Sequence, residues 1–97
     1  MIITSKQRAK LRSLAQTIET IAQFGKGELT PQQIAMIDQA LTKRELIKCA
    51  VLESSVYSAR ELAEKVAEQS NAILVQVIGR RFVLYRANPK EPVISLD

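Results

Sequence analysis

The 97-residue chain has no histidine, no tryptophan and a single cysteine, Cys49. Zinc clusters and nucleophilic centres of the Cys/His or Ser/His/Asp kind therefore lack the residues they need. General acid–base catalysis usually recruits histidine or paired carboxylates, whereas the carboxylates here are spaced to pair with cations on helices. We expect no catalytic residue, no metal, no cofactor and no small-molecule substrate.

Long apolar runs are also missing from the chain. No run approaches the ~20 residues that span a bilayer, and the amino terminus lacks the apolar core of a signal peptide. We therefore expect a cytoplasmic protein without a membrane partner. Cys49 has no second cysteine to pair with, and its position in the apolar run 46–52 indicates a buried filler.

The basic residues outnumber the acidic ones, 14 to 10, and they are unevenly distributed. Four cations precede the first acidic residue of the chain, Glu19: Lys6, Arg8, Lys10 and Arg12. Thr4 and Gln7 have the spacing of a capping box, and an apolar stripe follows at helical period, so the segment is predicted to be a helix. Because no acid neighbours these cations, we interpret them as an anion-facing surface; the alternative is an ordinary solvated helix face.

A short glycine turn, Gly25-Lys26-Gly27, precedes a second helix start at Thr30-Pro31. The first turn of a helix carries unpaired N–H groups and partial positive charge, which attract anions. Glycine permits close approach of a phosphate, and Lys26 adds a full charge. The turn completes neither the P-loop pattern nor the dinucleotide-binding pattern. The sequence therefore predicts phosphate binding without hydrolysis.

Two other segments bear on the binding surface. The third predicted helix has three acids, Glu61, Glu64 and Glu68, beside Arg60 and Lys65, and we expect this self-neutralised face to point away from a nucleic acid. Arg80 and Arg81 follow Gly79 in a tight hairpin turn. They are either a second phosphate contact or simply residues that an exposed turn tolerates.

The periodicities predict the order helix, strand, helix, strand, helix, strand, strand. This order indicates an α/β fold, a two-layer sandwich in which helices pack on a small mixed four-stranded sheet. Residues 1–86 form the predicted domain. Residues 87–97 contain Pro89 and Pro92 and lack either period, so we expect a flexible tail, although Val93, Ile94 and Leu96 leave packing on an edge open.

Several of these segments together resemble the bacterial YhbY family of stand-alone CRM (chloroplast RNA splicing and ribosome maturation) domains. The likeness covers about residues 3–86 and rests on the glycine turn, Glu45-Leu46-Ile47-Lys48, Val77-Ile78-Gly79 and Val83-Leu84-Tyr85-Arg86. The resemblance implies a fold similar to the carboxy-terminal domain of translation initiation factor three. It also implies RNA binding and association with precursors of the large ribosomal subunit.

The resemblance further implies a Gly-x-x-Gly loop that touches the RNA backbone, as in KH domains. By position this loop is Gly25-Lys26-Gly27-Glu28, with Glu28 where the second glycine belongs. A carboxylate repels phosphate, and a side chain restricts the backbone. Either Gly27 supplies the freedom one residue earlier, or this member of the family binds RNA more weakly.

We therefore predict a monomeric RNA-binding protein that acts on ribosomal RNA during assembly of the large subunit. The alternative is a protein-interaction module whose basic helix binds an acidic partner. Aromatic residues are few, and Phe24, Phe82 and Tyr85 lie in apolar strand patterns, so recognition is expected to depend on backbone and shape rather than on base stacking. The candidate RNA contacts are Lys6, Arg8, Lys10, Arg12, Gly25, Lys26, Gly27, Glu28, Arg80 and Arg81.

Overall fold

Three helices and four strands follow one another in the predicted order. The computed structural model describes residues 2–27 and 29–96. Its elements are α1 (Ser5–Ala15), β1 (Thr20–Phe24), α2 (Pro31–Arg44), β2 (Leu46–Val51), α3 (Ala59–Ser70), β3 (Ile73–Ile78) and β4 (Arg81–Tyr85). The α/β class and the mixed four-stranded sheet are confirmed.

Each helix begins with a capping box. The side-chain oxygen of the capping residue, which precedes the helix, accepts the backbone N–H of the residue three positions on. The side chain of that residue in turn accepts the backbone N–H of the capping residue, and all these bonds measure 2.9–3.2 Å. The pairs are Thr4 with Gln7, Thr30 with Gln33 and Ser58 with Glu61. Removing such a cap typically costs about 1 kcal/mol. The helix starts are therefore encoded locally, which is why the sequence predicts them well.

The strands lie side by side in the order β1-β2-β4-β3. β1 runs parallel to β2, while β4 is antiparallel to both β2 and β3. Phe24 pairs with Val51, and Arg81 pairs with both Ala50 and Ile78, so these strand ends meet at one edge of the sheet. We call this edge the loop end, and it comprises residues 25–27, 52–55 and 79–81.

Both faces of the sheet carry apolar side chains, because alternate residues of a strand point to opposite faces. Ile47, Cys49, Phe82 and Leu84 pack with α2 and α3 on one face. On the other face, a separate cluster joins α1 to the sheet: Leu11, Ala15, Leu46, Val75, Val83 and Tyr85. The expected two-layer sandwich is thus a helix–sheet–helix arrangement, since the central strands are apolar on both sides and need cover on both.

The end of α2 is held by an unusual residue, Glu45. Its backbone adopts φ +65°, a left-handed conformation that a residue with a side chain rarely adopts, and its side chain is only 1% exposed. Backbone N–H groups of Asn88, Val93 and Ile94 donate to its carboxylate at 2.6–2.7 Å. Burial raises the pKa of Glu45, but these donors outweigh burial and hold the pKa below its usual range.

The segment after β4 is therefore bound to the domain, in contrast to the predicted flexible tail. Besides the bonds to Glu45, Gln7 Nε2 donates to the carbonyl of Leu96 at 3.4 Å, and Ile94 and Leu96 pack against the α1 cluster. The sequence does not reveal this docking because its principal anchor is a carboxylate more than 40 residues away. Asp97 lies outside the described residues.

Arg86 fastens the end of β4 to two helices on the other side of the sheet. Its guanidinium donates to Asp38 Oδ1 at 2.6 Å, to the Ser70 carbonyl at 2.7 Å and to Thr42 Oγ1 at 2.8 Å. Arg86 and Glu45 both belong to the segments that carry the family resemblance. In this structure the side chains of both residues make hydrogen bonds that stabilise the fold.

Candidate nucleic-acid interface

The two glycines of the turn after β1 serve different purposes. A side chain at Gly25 would come within 3.2 Å of Ser54 Oγ and 3.3 Å of Leu52 Cδ1, so the turn packs closely against the loop after β2. Gly27 adopts φ +102° with open space around it, a conformation that other residues adopt only under strain. Between them the side chain of Lys26 is exposed. The geometry leaves a cation and an uncrowded backbone facing solvent.

Glu28, the residue that replaces the second glycine of the family loop, lies outside the described residues. The candidate contact at Glu28 and its effect on phosphate binding therefore remain predictions. α2 begins two residues further on, at Thr30 and Pro31, and its amino-terminal end lies beside the turn.

The hairpin turn brings two further cations to the loop end. Gly79 takes φ +57° at its first position, and Arg80 and Arg81 follow it with exposed side chains. Arg80 donates weakly to the Leu52 carbonyl at 3.4 Å, so its guanidinium lies over the loop after β2. Lys26, Arg80 and Arg81 thus come from separate segments to one edge of the sheet. Glu53, in the loop after β2, is the exposed carboxylate that partly offsets them.

The four cations of α1, by contrast, are not all available to a ligand, because two of them are hydrogen-bonded within the protein. Arg8 is half-buried and donates from Nη1 to the carbonyls of Leu74 and Val75 at 2.8 and 2.7 Å. Lys10 donates to the carbonyl of Ser95 in the docked carboxy-terminal segment.

The side chains of Lys6 and Arg12 are exposed and make no hydrogen bond or ion pair with any other residue of 2–27 and 29–96. Two of the four charges, those of Arg8 and Lys10, therefore already have partners within the fold, and the anion-facing surface of α1 stays a prediction.

Arg8 binds an irregular part of the edge strand β3. The register between β3 and β4 shifts between Leu74 and Gln76, which marks a β-bulge at Val75 on the edge strand. Arg8 gives the carbonyls of Leu74 and Val75 at this bulge a hydrogen-bond partner. The residue therefore ties α1 to the edge of the sheet.

The structure also shows a cleft that the sequence does not predict. We call it the sheet cleft; its volume is about 200 Å³, and it is lined by Ala15, Gln16, Lys48, Gln76, Ile78, Arg81 and Val83. α1 covers only part of its face of the sheet, and the cleft occupies the part between the end of α1 and the loop end. Lys48 is the functional candidate that sequence reasoning missed. The available signal was alternation within β2, where Lys48 interrupts an apolar strand.

The third helix lies on the opposite face of the sheet from α1 and the sheet cleft. Its charged residues Arg60, Glu61, Glu64, Lys65 and Glu68 are all exposed. The predicted i, i+4 pairs are not closed, since the ion pair found within residues 2–27 and 29–96 is that of Arg86 with Asp38. Lys65 instead lies 5.3 Å above the ring of Tyr57.

Three of the four aromatic rings and the cysteine thiol are buried. Phe24 and Phe82 stack with ring centroids 6.2 Å apart, and both rings, like Tyr85, are at most 3% exposed. Burial raises the pKa of Cys49 to about 12, so its thiol stays protonated and unreactive at neutral pH. These side chains are part of the core and are not available as a platform for bases.

The part of the chain that the structure describes offers no cluster of three or more acidic or cysteine residues that could hold a metal ion. Within the same residues, no helix combines the length and the apolarity that crossing a bilayer requires.

Cations gathered beside a glycine turn at one edge of the sheet are the electrostatic pattern of a nucleic-acid-binding module. The family model that describes the CRS1 / YhbY (CRM) domain matches residues 3–86. The chain belongs to this family.

Related proteins cover nearly the whole chain. It is 38% identical over 95 residues to "Probable RNA-binding protein YqeI" of Bacillus subtilis, covering 98% of this chain and 99% of that protein. It is 30% identical over 90 residues to "Probable RNA-binding protein PA4753" of Pseudomonas aeruginosa, covering 93% and 86%. The solution structure of the hypothetical protein SAV1595 from Staphylococcus aureus superposes with a TM-score of 0.81 at 43% identity, covering 99% of this chain and 100% of that one.

Proposed function

We propose that this protein binds RNA, and that its target is ribosomal RNA in cytoplasmic precursors of the large ribosomal subunit. The observation that carries the proposal is the loop end. There Lys26, Arg80 and Arg81 arrive from separate segments beside a glycine turn whose backbone is open to solvent. Membership of the CRM family and the printed names of the relatives support RNA as the polyanion.

The loop end would hold the phosphate backbone. Gly27 leaves room for a phosphate to approach the main chain, and Lys26 supplies charge beside the amino-terminal end of α2. Arg80 and Arg81 would bind a neighbouring phosphate across the edge of the sheet. Each residue binds or orients the RNA, and no residue is assigned a chemical step.

The first experiment is a salt titration with a ribosomal RNA fragment. Contacts to about four phosphates predict that log K falls with log salt at a slope of roughly −3, since each contact contributes ~0.7 to 0.9. A flat salt dependence would contradict the electrostatic model. Equal binding to double-stranded DNA would remove the preference for RNA.

The second experiment tests the ribosomal assignment. Tagged protein in cell lysate is separated on a sucrose gradient, and we expect it to sediment with precursors of the large subunit. The Lys26→Glu variant should move to the top of the gradient, while Arg60→Glu, which changes charge equally on the opposite side of the sheet, should not. Sedimentation of the unmodified protein with mature subunits only would contradict a role in assembly.

The alternative function, in which the basic helix binds an acidic protein, loses support from the structure. Arg8 and Lys10 donate to backbone carbonyls of the same chain, which leaves Lys6 and Arg12 as the free cations of α1. Nuclease treatment of the lysate separates the two functions, because it abolishes an RNA-dependent association and leaves a protein-dependent one intact.

A further inference from the structure

The sheet cleft is built by the direct cross-strand neighbours of three strands. Lys48 of β2 lies opposite Val83 of β4, and Val83 lies opposite Gln76 of β3. One step nearer the loop end, Arg81 lies opposite Ile78. Because partners in register share a face of the sheet, these side chains form one surface on the side of α1.

The cleft combines groups of three chemical kinds. Lys48 and Arg81 carry positive charge, and no carboxylate of the described residues lines the cleft. Gln16 and Gln76 each offer an amide with donors and an acceptor, and their side chains make no hydrogen bond within residues 2–27 and 29–96. Val83 forms an apolar floor, and Ile78, 63% exposed, forms an apolar wall.

The cleft has an exposed cation at each end, Arg12 on α1 and Arg81 beside the loop end. Arg12 is one helical turn before Gln16, so it projects beside the end of α1 that borders the cleft. At the other end of the cleft, Arg81 is the chain neighbour of Arg80 and belongs to the loop end. A strand of RNA that followed these cations from Lys26 to Arg12 would cross the cleft.

Apolar walls, unpaired amides and flanking cations together match one ligand, a nucleotide with its base turned out of a helix. We propose that the sheet cleft binds one unpaired nucleotide of the RNA that the loop end holds, an inference that rests on the proposed function. The base packs against Ile78 and Val83, the amides of Gln76 and Gln16 bind its polar edge, and Lys48 and Arg81 bind the flanking phosphates. Bases of a continuous duplex are stacked and paired and do not enter such a cleft.

The bulge in β3 orients Gln76 toward the sheet cleft. The extra residue at Val75 changes the register of β3, so that Val75 is buried under α1 while Gln76 still lies opposite Val83. Arg8 stabilises the bulge through the carbonyls of Leu74 and Val75. Arg8 is therefore a positioning residue for Gln76.

The experiment compares two RNA duplexes with the same total number of nucleotides and the same charge, one blunt-ended and fully paired, the other with a shorter paired stem and a short unpaired overhang. Affinities are measured for the unmodified protein and for Gln76→Ala, with Gln69→Ala on α3 as the matched control. We expect the overhang RNA to bind more tightly, and Gln76→Ala to reduce that preference about threefold to tenfold, the value of one to two hydrogen bonds. Gln69→Ala should leave it unchanged.

A direct readout comes from the side-chain amide resonances of Gln16 and Gln76, which should shift when the overhang RNA is added and not when the blunt-ended duplex is added. If RNA binds but both resonances and the preference of Gln76→Ala stay unchanged, the cleft is empty in the complex and the inference is wrong, while the proposed function stands. If neither RNA binds, both proposals fail.

Discussion

The two faces of the sheet differ in how completely they are covered. On the face of α2 and α3, the apolar side chains of every strand are packed, and Phe82, Leu84 and Ile47 are at most 1% exposed. On the other face, α1 covers Val83 and Tyr85 but leaves Ile78 and Arg81 open to solvent. One face therefore serves stability, and the uncovered part of the other is free to bind a ligand.

The largest effect should come from the covered face. Phe82→Ala removes a fully buried ring and should destabilise the domain by about 3–5 kcal/mol. Ile78→Ala, at the exposed wall of the sheet cleft, should change the free energy of unfolding by less than about 0.5 kcal/mol. Urea denaturation checks both. If Phe82→Ala does not fold, Phe82→Leu keeps most of the volume and provides the comparison; similar costs at the two sites would contradict the division between the faces.

The next effect concerns the carboxylate that binds the carboxy-terminal segment. Glu45 has a lowered pKa when folded, so it contributes stability above its unfolded pKa, and this stability is lost as pH falls through the folded value. Glu45→Gln removes the charge at every pH and should cost about 1.5–3 kcal/mol. Amide resonances of Val93 and Ile94, followed from pH 7 to pH 2.5, should move together with that titration. Resonances that stay constant over this range would contradict the role of the charge.

Two arginines on the same helix should behave differently. Arg8→Gln leaves two bulge carbonyls without their donor and should destabilise the protein by about 1–2 kcal/mol. Arg12→Gln removes the same charge from an exposed position and should leave stability within about 0.5 kcal/mol, while it weakens RNA binding. Thermal unfolding and RNA titration of the pair provide the measurement, and equal thermal shifts would show that the Arg8 bonds contribute nothing.

Smaller effects are expected at the glycine turn. Lys26→Glu should weaken RNA binding at least about fivefold, because the change removes one charge contact worth about 1 kcal/mol and puts a repulsion in its place. Glu28→Gly should tighten binding by a similar factor, since it removes a negative charge and restores glycine's freedom. Neither change should alter unfolding in urea. Weaker binding by Glu28→Gly would indicate that the carboxylate itself binds RNA, for instance an exposed amino group.

The smallest effect, close to zero, is expected on α3. Arg60→Glu reverses a charge on the side of the sheet away from the sheet cleft and should leave RNA affinity unchanged. Lys65 is kept in this variant because its ammonium lies over Tyr57. If Arg60→Glu loses RNA binding while Arg12→Gln retains it, the RNA binds the face of α3, and the interface proposed on the side of α1 is wrong.

Much of the fold was predictable because it is encoded in short segments. The capping boxes at Thr4, Thr30 and Ser58 involve residues three apart, and the strand that contains Cys49 is marked by its own apolar run. The glycine turn was visible for the same reason. The prediction was less successful for the binding surface, since it treated each cation as free unless an acid stood nearby in the sequence.

By itself, then, the sequence determined the family, the order of elements, the mixed sheet and the burial of Phe24, Phe82 and Tyr85, all of which follow from local pattern. Only the tertiary structure decided which cations are available, because Arg8 finds its carbonyl partners 66 and 67 residues away. It likewise decided that Glu45 binds the segment after β4 and that Lys48 faces an open cleft. Buried polar groups must be satisfied by whatever the fold brings near them, and that neighbourhood is not written in adjacent residues.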